Sequence, residues 1–186
     1  MGRWAGWIAF TLVLALPSWT CAETLVQRSP RVRGSSPAIS LAIEQAFEQS
    51  PTFRELVAAI GRTDGIVYVH YGECGRNVLA CLVLAVDHAG PYRILQIRVD
   101  PRRKGHGLMV SIGHELKHAL ELLNEPTVVN NSTAHNFYQR IAPRRGNSFE
   151  TQAAVEIGLK IDGELRRWAN TSGSYAAPPP DAGLMR

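Results

Sequence analysis

The sequence predicts an α+β fold in which a small antiparallel sheet lies between helices that precede and follow it. Apolar residues recur at helical spacing over two early segments, three β-rich runs then follow with short connections, and helical spacing returns from about residue 106. With 186 residues, of which 45% are hydrophobic and 19% charged, the chain is long enough for one domain with a hydrophobic core.

The first residues have the composition of a secretory signal peptide. A basic start at Arg3 precedes an apolar run over 7–16 and a segment of smaller residues that ends at Ala22. We expect cleavage after Ala22, which defines 1–22 as the signal, and export of a secreted or periplasmic chain. The apolar run is shorter than the roughly 20 residues that cross a bilayer, so we expect no membrane span after signal removal. Lipidation at Cys21 is the alternative, which the two preceding residues disfavour.

The next segments predict an irregular arm and two helices. Residues 23–36 are polar and carry Pro30, which is typical of a segment without regular structure. Pro37 suits the first turn of a helix. Apolar residues at helical spacing continue over 38–46 and return over 53–60, so both helices precede the sheet.

Three β-rich runs, at 66–71, 78–86 and 92–99, predict the strands of the sheet. Short connections favour an antiparallel meander, since parallel neighbours need long crossovers. The last run alternates apolar and polar side chains, as a strand with one solvated face does. We interpret that last run as an edge of the sheet.

Two cysteines flank the turn between the first two β-rich runs. Cys74 and Cys81 form an even pair once the signal is removed, and an exported chain meets oxidising conditions. We expect a disulfide, which restricts the unfolded chain by about 2–3 kcal/mol in the entropic model. Two buried free thiols are the alternative.

Helical spacing returns after the strands. One pattern over about 106–123 predicts a long helix, a second over 131–141 a short helix, and a third over 147–168 another long helix. Residues 170–186 are small and rich in proline, which is typical of a disordered tail. The predicted single domain therefore spans 37–169.

The net charge of +4 is accompanied by basic clusters at 102–104, 144–145 and 166–167. Nucleic acid or an anionic cell surface is one interpretation of such clusters. They lie apart, carry no interleaved aromatic residues and match no nucleic-acid-binding signature. We interpret them as solvated surface and expect no nucleic acid partner.

The first long helix carries the sequence HELKH at 114–118. Residues four apart share one helix face, so His114 and His118 can direct ring nitrogens at one point about 2.0–2.1 Å from each, the length of a zinc–nitrogen bond. Glu115 is rotated by about 100° and lies beside that point, within reach of a metal-bound water. Two packed core histidines are the alternative. The helical context of the motif favours a metal site.

On these residues the chain resembles the zincin metallopeptidases, whose signature is H-E-x-x-H on a helix that follows a small mixed sheet. The flanking residues are uncharged, as is usual in that family, whereas Lys117 departs from its pattern. The resemblance implies one Zn²⁺ per chain and a zincin-like catalytic domain. It also implies hydrolysis of a peptide or protein substrate by a zinc-bound water whose proton Glu115 accepts.

The resemblance implies a third protein ligand as well. The extended H-E-x-x-H-x-x-G-x-x-H pattern is absent, which leaves the gluzincin branch, where a glutamate from a later helix completes the site. Glu150 fits best, because the small Ala153 and Ala154 allow the two helices to pack closely. A carboxylate that merely opens a helix is the alternative role of Glu150. Glu121 and Glu156 are the rivals, and we interpret Glu121 as a group that holds a ligand histidine.

Two further expectations concern catalysis. Enzymes of the zincin family often add a side chain that steadies the oxyanion, so the resemblance implies His135 and Tyr138, between the predicted metal-binding helices, as candidates, with plain packing as the alternative. The resemblance implies that substrate lies along the strand Tyr92–Val99. A catalytically silent metal-binding or interaction module, which keeps the site for structure, is the alternative function.

Overall fold

The computed structural model describes residues 30–142, 144–145 and 148–174, so the predicted signal peptide lies outside the described residues. The described elements follow in the order β1 (Val32–Gly34), α1 (Pro37–Gln49), α2 (Pro51–Gly61), β2 (Gly65–Tyr71), β3 (Ala80–Ala89), β4 (Tyr92–Val99), α3 (Gly105–Leu123), α4 (Asn131–Ile141), β5 (Arg144–Arg145), β6 (Ser148–Phe149) and α5 (Gln152–Ser174). These ranges form an α+β fold with a small mixed sheet and five helices, which confirms the predicted class. None of these helices has the length and apolar character that a membrane crossing requires.

The main sheet is mixed, with strand order β1-β2-β4-β3. β2 pairs in parallel with both β1 and β4, whereas β3 pairs with β4 in the antiparallel sense. The predicted meander is therefore wrong, and β4 is a central strand instead of an edge. Loop 72–79 explains the difference, because it crosses the end of β4. Its ends bond to that strand's exit, from Gly72 N–H to the Val99 carbonyl and from Asp100 N–H to the Leu79 carbonyl.

The predicted irregular arm over 23–36 is wrong at 32–34, which form a strand. Val32–Gly34 forms strand β1, which pairs in parallel with residues 67–69 of β2. Val32 is only 4% exposed. A strand of three residues with one buried valine is too short to show an alternating pattern of apolar and polar residues. Its pairing with β2 alone defines it as a strand.

The boundaries of α5 differ from the predicted ones at both ends. The helix begins at Gln152, because Ser148–Phe149 pairs with Arg144–Arg145 in a two-stranded hairpin. It continues through Ser174, so the first residues of the predicted disordered tail are helical, and 175–186 lie outside the described residues. Glu150 consequently lies in the short connection before α5 and does not open that helix.

Helix α3 is the centre of the fold. Its residues Ile112 and Leu116 are fully buried, and the helix contacts both the sheet and α5. Close packing on α5 depends on two glycines. A Cβ at Gly113 would collide with the Ile161 side chain, and a Cβ at Gly158 would lie 3.3 Å from a ring nitrogen of His114. The motif face of α3 and the start of α5 are thereby brought together.

A buried arginine closes the C-terminal end of α3. Arg93 on β4 is 7% exposed, and its Nε and Nη2 donate to the Asp64 carboxylate at 2.7–3.1 Å. Its Nη1 and Nη2 also donate to four backbone carbonyls at 2.6–3.2 Å, those of Leu122, Leu123, Glu125 and Val128. A guanidinium has five N–H donors, and all three nitrogens of Arg93 have acceptors.

Candidate metal centre

Three side chains converge on one point beside α3. The Nε2 atoms of His114 and His118 lie 3.3 Å and 3.4 Å from Oε1 of Glu150. Two ligands held tetrahedrally at about 2.0–2.1 Å from a zinc ion are about 3.3–3.4 Å apart, so both separations match a shared tetrahedral ion. Glu150, the best candidate from the sequence, is thus placed with the two motif histidines, and the three ligand atoms lie within 4.8 Å of one another.

The Oε1 atom of Glu150 makes this cluster a possible metal site. It is buried and has no hydrogen-bond partner among the described residues. A buried, unsatisfied carboxylate oxygen costs about 1–3 kcal/mol or more, and such an atom needs an explanation in a folded protein. A cation held between this oxygen and two imidazole nitrogens supplies one, since nitrogen and carboxylate oxygen are suitable ligands for zinc. The three residues therefore form a possible metal-binding triad.

Each motif histidine also has a neighbour at its Nδ1 atom, on the side of the ring opposite Glu150. His118 Nδ1 lies 3.2 Å from Oε2 of Glu121, and Glu121 in turn accepts a hydrogen bond from the Thr151 hydroxyl at 2.9 Å. His114 Nδ1 faces the backbone of α5, where Gly158 leaves room for the ring. Partners at Nδ1 leave each Nε2 directed at Glu150, as is usual for ligand histidines. The contact between Glu121 and His118 is the one that the sequence predicts, and Glu121 does not belong to the triad.

Burial and charge set the proton affinities of the two rings in opposite directions. Burial, aided by the positive charge of His118, lowers the pKa of His114. Burial also acts to lower the pKa of His118, but the surrounding carboxylates, led by Glu121, outweigh it and raise that pKa. Burial acts to raise the pKa of Glu121, and its hydrogen bonds from His118 and Thr151 bring it below the usual value. Glu121 therefore carries a negative charge next to the triad.

Glu115 lies beside the triad without joining it. Its Oε1 is 4.0 Å from His114 Nε2, and its Oε2 accepts a hydrogen bond from the Leu82 N–H at 2.7 Å. The residue is 6% exposed, and burial raises the pKa of Glu115 to about 7. A carboxyl with this pKa exchanges a proton near neutral pH, as a general base requires.

The triad lies in a cavity of about 640 Å³. Segment 74–82 forms one wall, and the Cys74–Cys81 disulfide, which confirms the predicted pairing, closes that wall covalently. The motif face of α3 forms the opposite wall. β3 supplies the strand along the cavity, and β4, which was predicted to guide the substrate, contributes no described residue to the lining because β3 covers its edge.

The remaining predicted residues lie around the triad in different ways. Tyr138 lines the cavity but is 2% exposed, and its hydroxyl donates to the His118 backbone carbonyl at 2.8 Å. His135 packs edge-on against Phe149, outside the cavity lining in the described structure. Glu156 is exposed and accepts a hydrogen bond from Gln152. Neither His135 nor Glu156 therefore reaches the triad.

The Lys117 side chain, which departs from the zincin pattern, turns away from the cavity and lies 3.6 Å from Oε1 of Glu121. Sequence patterns did not identify one charged residue of the cavity, Arg103. Arg103 belongs to a basic cluster that we had interpreted as solvated surface, but the structure places it half-buried in the cavity lining. Arg102 and Lys104 are exposed, as expected. The only sequence signal for Arg103 was its position at the N-terminal approach to the motif helix.

Comparison with known proteins identified no relative: no family model, no curated protein and no solved structure matches this chain. The chemistry of the site is therefore argued from its own atoms. Two imidazoles, a partnerless buried carboxylate oxygen and an adjacent carboxyl with a raised pKa are the groups that it offers.

Proposed function

We propose that this protein is an exported, zincin-like, zinc-dependent peptidase, in which His114, His118 and Glu150 hold the metal and Glu115 is the general base. The observation that carries the proposal is the partnerless Glu150 Oε1, which lies at tetrahedral-edge distances from both histidines. The Glu115 carboxyl lies at the margin of this triad, on the side of the cavity. The zincin resemblance of HELKH adds the reaction type.

Zinc is the metal that this ligand set fits best, because two neutral imidazoles and one carboxylate suit a tetrahedral ion with one open position. When bound, such an ion polarises a carbonyl and makes a water molecule acidic enough to attack near neutral pH. The protein side chains supply orientation. Glu121 and the α5 backbone fix the two rings, and Glu150 neutralises part of the ionic charge.

The surroundings of Glu115 suit proton transfer. The Leu82 N–H fixes Oε2, which leaves Oε1 as the free oxygen on the triad side of the carboxyl group. Burial raises the pKa of Glu115 to about 7, so it can accept a proton from an attacking water and return it to the leaving amine. General-base catalysis of this kind is worth about 10²–10⁴ in rate.

The proposed substrate is an extended peptide that lies along β3. β3 is an edge of the main sheet, and its residues 80–82 and 84 line the cavity next to Glu115. An extended peptide can pair with an exposed strand edge through main-chain hydrogen bonds, while side-chain pockets supply preference. Apolar side chains at Leu82, Leu84 and Val110 line the same cavity, so we expect room for uncharged substrate side chains beside the triad.

The test is Glu115→Gln in the zinc-loaded mature chain. Glutamine retains an acceptor for the Leu82 N–H but cannot accept a proton, so we expect unchanged zinc stoichiometry and hydrolysis slowed by about 10²–10⁴. The measurement is cleavage of a panel of peptides and peptidoglycan fragments, with elemental analysis of bound metal. Glu156→Gln is the matched control, since Glu156 is exposed and outside the site.

Two outcomes would change the proposal. Equal cleavage by wild type and Glu115→Gln would remove the general-base assignment and with it the peptidase mechanism. Stoichiometric zinc without cleavage of any panel member by wild type would favour the metal-binding module, in which the ion joins α3 to the segment before α5.

A further inference from the structure

Arg103 is a charged cavity residue whose side chain forms no ion pair or hydrogen bond with the described residues. Its Nε is buried without a hydrogen-bond partner, and no ion pair or side-chain hydrogen bond joins Arg103 to any other described residue. Ionised donors form the strongest hydrogen bonds in proteins, so a buried guanidinium nitrogen without an acceptor is a costly arrangement. The same cavity holds the metal triad.

The neighbouring Asp100 interacts with the charge of Arg103 at a distance, but its carboxylate is hydrogen-bonded to Arg102 instead. Both carboxylate oxygens of Asp100 accept from Arg102, at 2.5–3.1 Å, and the Arg102 backbone N–H donates to the same carboxylate. Arg102 has an 83% exposed side chain. Two adjacent arginines therefore differ completely: one is exposed and paired, and the other is half-buried, unpaired and faces the cavity.

The position of Arg103 relative to the triad follows from α3. A Cβ at Gly107 would lie 2.8 Å from Nη1 of Arg103, so the guanidinium rests against the bare backbone of the first turn. Gly107, Ser111, His114 and His118 follow one another at intervals of four, three and four residues along one helix face. His114 is seven residues beyond Gly107, or about 10 Å along the axis.

We infer that Arg103 binds a substrate carboxylate at the end of the cavity away from the triad, an inference that rests on the proposed peptidase function. An extended peptide advances about 3.3 Å per residue, so a carboxylate at Arg103 lies two or three residues from the carbonyl at the triad. A guanidinium recognises a carboxylate through two parallel N–H donors. The carboxylate belongs either to the peptide C-terminus or to an acidic side chain at that distance.

The experiment measures binding, so that it does not depend on turnover. The zinc-loaded Glu115→Gln protein is titrated calorimetrically with three peptides: N-acetyl-tetraalanine with a free carboxylate, its C-terminal amide, and the amide with aspartate as the last residue. We expect each carboxylate peptide to bind roughly 10- to 100-fold more tightly than the plain amide. Comparison of the free acid with the aspartyl amide then identifies the source of the carboxylate.

Arg103→Ala, introduced into the same background, should remove the preference and make all three peptides bind alike. Arg103→Lys keeps the charge but not the two-pronged donor geometry, so it should retain part of the preference. Arg102→Ala is the matched control: it removes the same charge from the adjacent, exposed position and should leave the preference unchanged. Equal zinc stoichiometry in all variants shows that the site is folded.

The outcomes separate this inference from the proposed function. A carboxylate preference that survives Arg103→Ala, or no preference and no measurable binding in the starting protein, would overturn it. Cleavage of amides and free acids at equal rates by wild type would sustain the peptidase but sink the role of Arg103. An Arg103-dependent preference in a protein that cleaves nothing would retain the binding site and reject the peptidase.

Discussion

Two arginines at opposite ends of α3 show how differently buried charge is used in this molecule. At the C-terminal end, Arg93 is bonded to Asp64 and four backbone carbonyls, a set that we term the closed cluster. At the N-terminal end, Arg103 has no such partner among the described residues. It faces a cavity with the triad and Glu115, and we term these five residues the open cluster. Arg93 is the more buried of the two, but both have a buried guanidinium nitrogen, and what separates them is the supply of hydrogen-bond partners.

The same contrast separates two glutamates. The Glu164 carboxylate accepts hydrogen bonds from the hydroxyls of Ser50 and Thr52 and from the Thr52 N–H, so it ties α5 to the start of α2. The Glu150 carboxylate has a buried oxygen that accepts none. A satisfied polar group contributes to stability, and an unsatisfied one lowers it unless a ligand compensates. The unsatisfied groups of the open cluster therefore lower stability unless a ligand compensates for them.

The largest effect is expected from Arg93→Met. Methionine fills similar volume but leaves four carbonyls and Asp64 without their donor, and breaking a buried charged cluster typically costs about 3–5 kcal/mol. Urea denaturation of the zinc-free protein measures this loss. Arg103→Met is the matched variant, and we expect it to change the unfolding free energy by less than about 1 kcal/mol, because no hydrogen bond is lost.

Equal destabilisation by the two methionine variants would remove the distinction between the clusters. It would mean that Arg103 is hydrogen-bonded in solution as Arg93 is, for example through ordered water. The number of hydrogen-bond partners would then not distinguish an arginine that stabilises the fold from one that binds a ligand.

A smaller effect is expected when zinc binds the open cluster. Free zinc at 100 times its Kd should raise the unfolding free energy by about 2.7 kcal/mol. Glu150→Ala should remove this increment because it deletes a ligand. Glu121→Ala should weaken zinc binding about 10- to 100-fold, which leaves about 0.4–1.4 kcal/mol at the same zinc concentration. Thermal or urea unfolding with and without zinc gives the three increments.

The reverse order, with Glu121→Ala losing the whole increment and Glu150→Ala keeping part, would make Glu121 the ligand. Glu156→Ala is the control, since Glu156 accepts from Gln152 on the exposed side of α5 and should leave the increment intact.

The part of the open cluster that lies on α3 was predictable from sequence because its geometry is local. The spacing of His114 and His118 is fixed by the helix itself, and Glu121 lies one turn from His118 on the same helix. Glu150 followed from the family resemblance and not from a helix start, which the structure places at Gln152. The disulfide was predictable for a similar reason, since its cysteines are seven positions apart in the sequence.

The sheet topology and Arg103 were not predictable because both depend on distant partners. The composition of β4 looked like that of an edge strand, yet loop 72–79 carries the chain past its end and places β3 outside it. Arg102 and Arg103 are chemically identical neighbours, and only the folded structure shows that Asp100 is already bonded to Arg102. Local sequence patterns define the helices, the strands and the residues that share a helix face. The order of strands in the sheet and the hydrogen-bond partners of each side chain depend on tertiary packing.

The smallest expected effect concerns acid, and it tests whether Asp64 contributes charge to the closed cluster. The hydrogen bonds from Arg93 hold the pKa of Asp64 below its usual value, against the opposing effect of burial. A carboxyl with a lowered folded-state pKa contributes stability that is fully present above its unfolded pKa and is lost as pH falls through the folded pKa. The Asp64 side chain is 44% exposed, so we expect a contribution of only about 0.2–1 kcal/mol.

Asp64→Asn keeps an acceptor for Arg93 and removes the titrating charge. The measurement is urea unfolding of zinc-free wild type and variant from pH 7 down to about pH 2.5, with exposed Glu55→Gln as the control. The wild-type advantage over Asp64→Asn should be constant down to about pH 5, where the unfolded carboxyl begins to bind protons, and then shrink. Glu55→Gln should follow wild type throughout. An advantage that does not change with pH would mean that Arg93 needs only an acceptor at position 64. The closed cluster would then be held by hydrogen bonds to the carbonyls rather than by an ion pair, and its difference from the open cluster would lie wholly in the number of its partners.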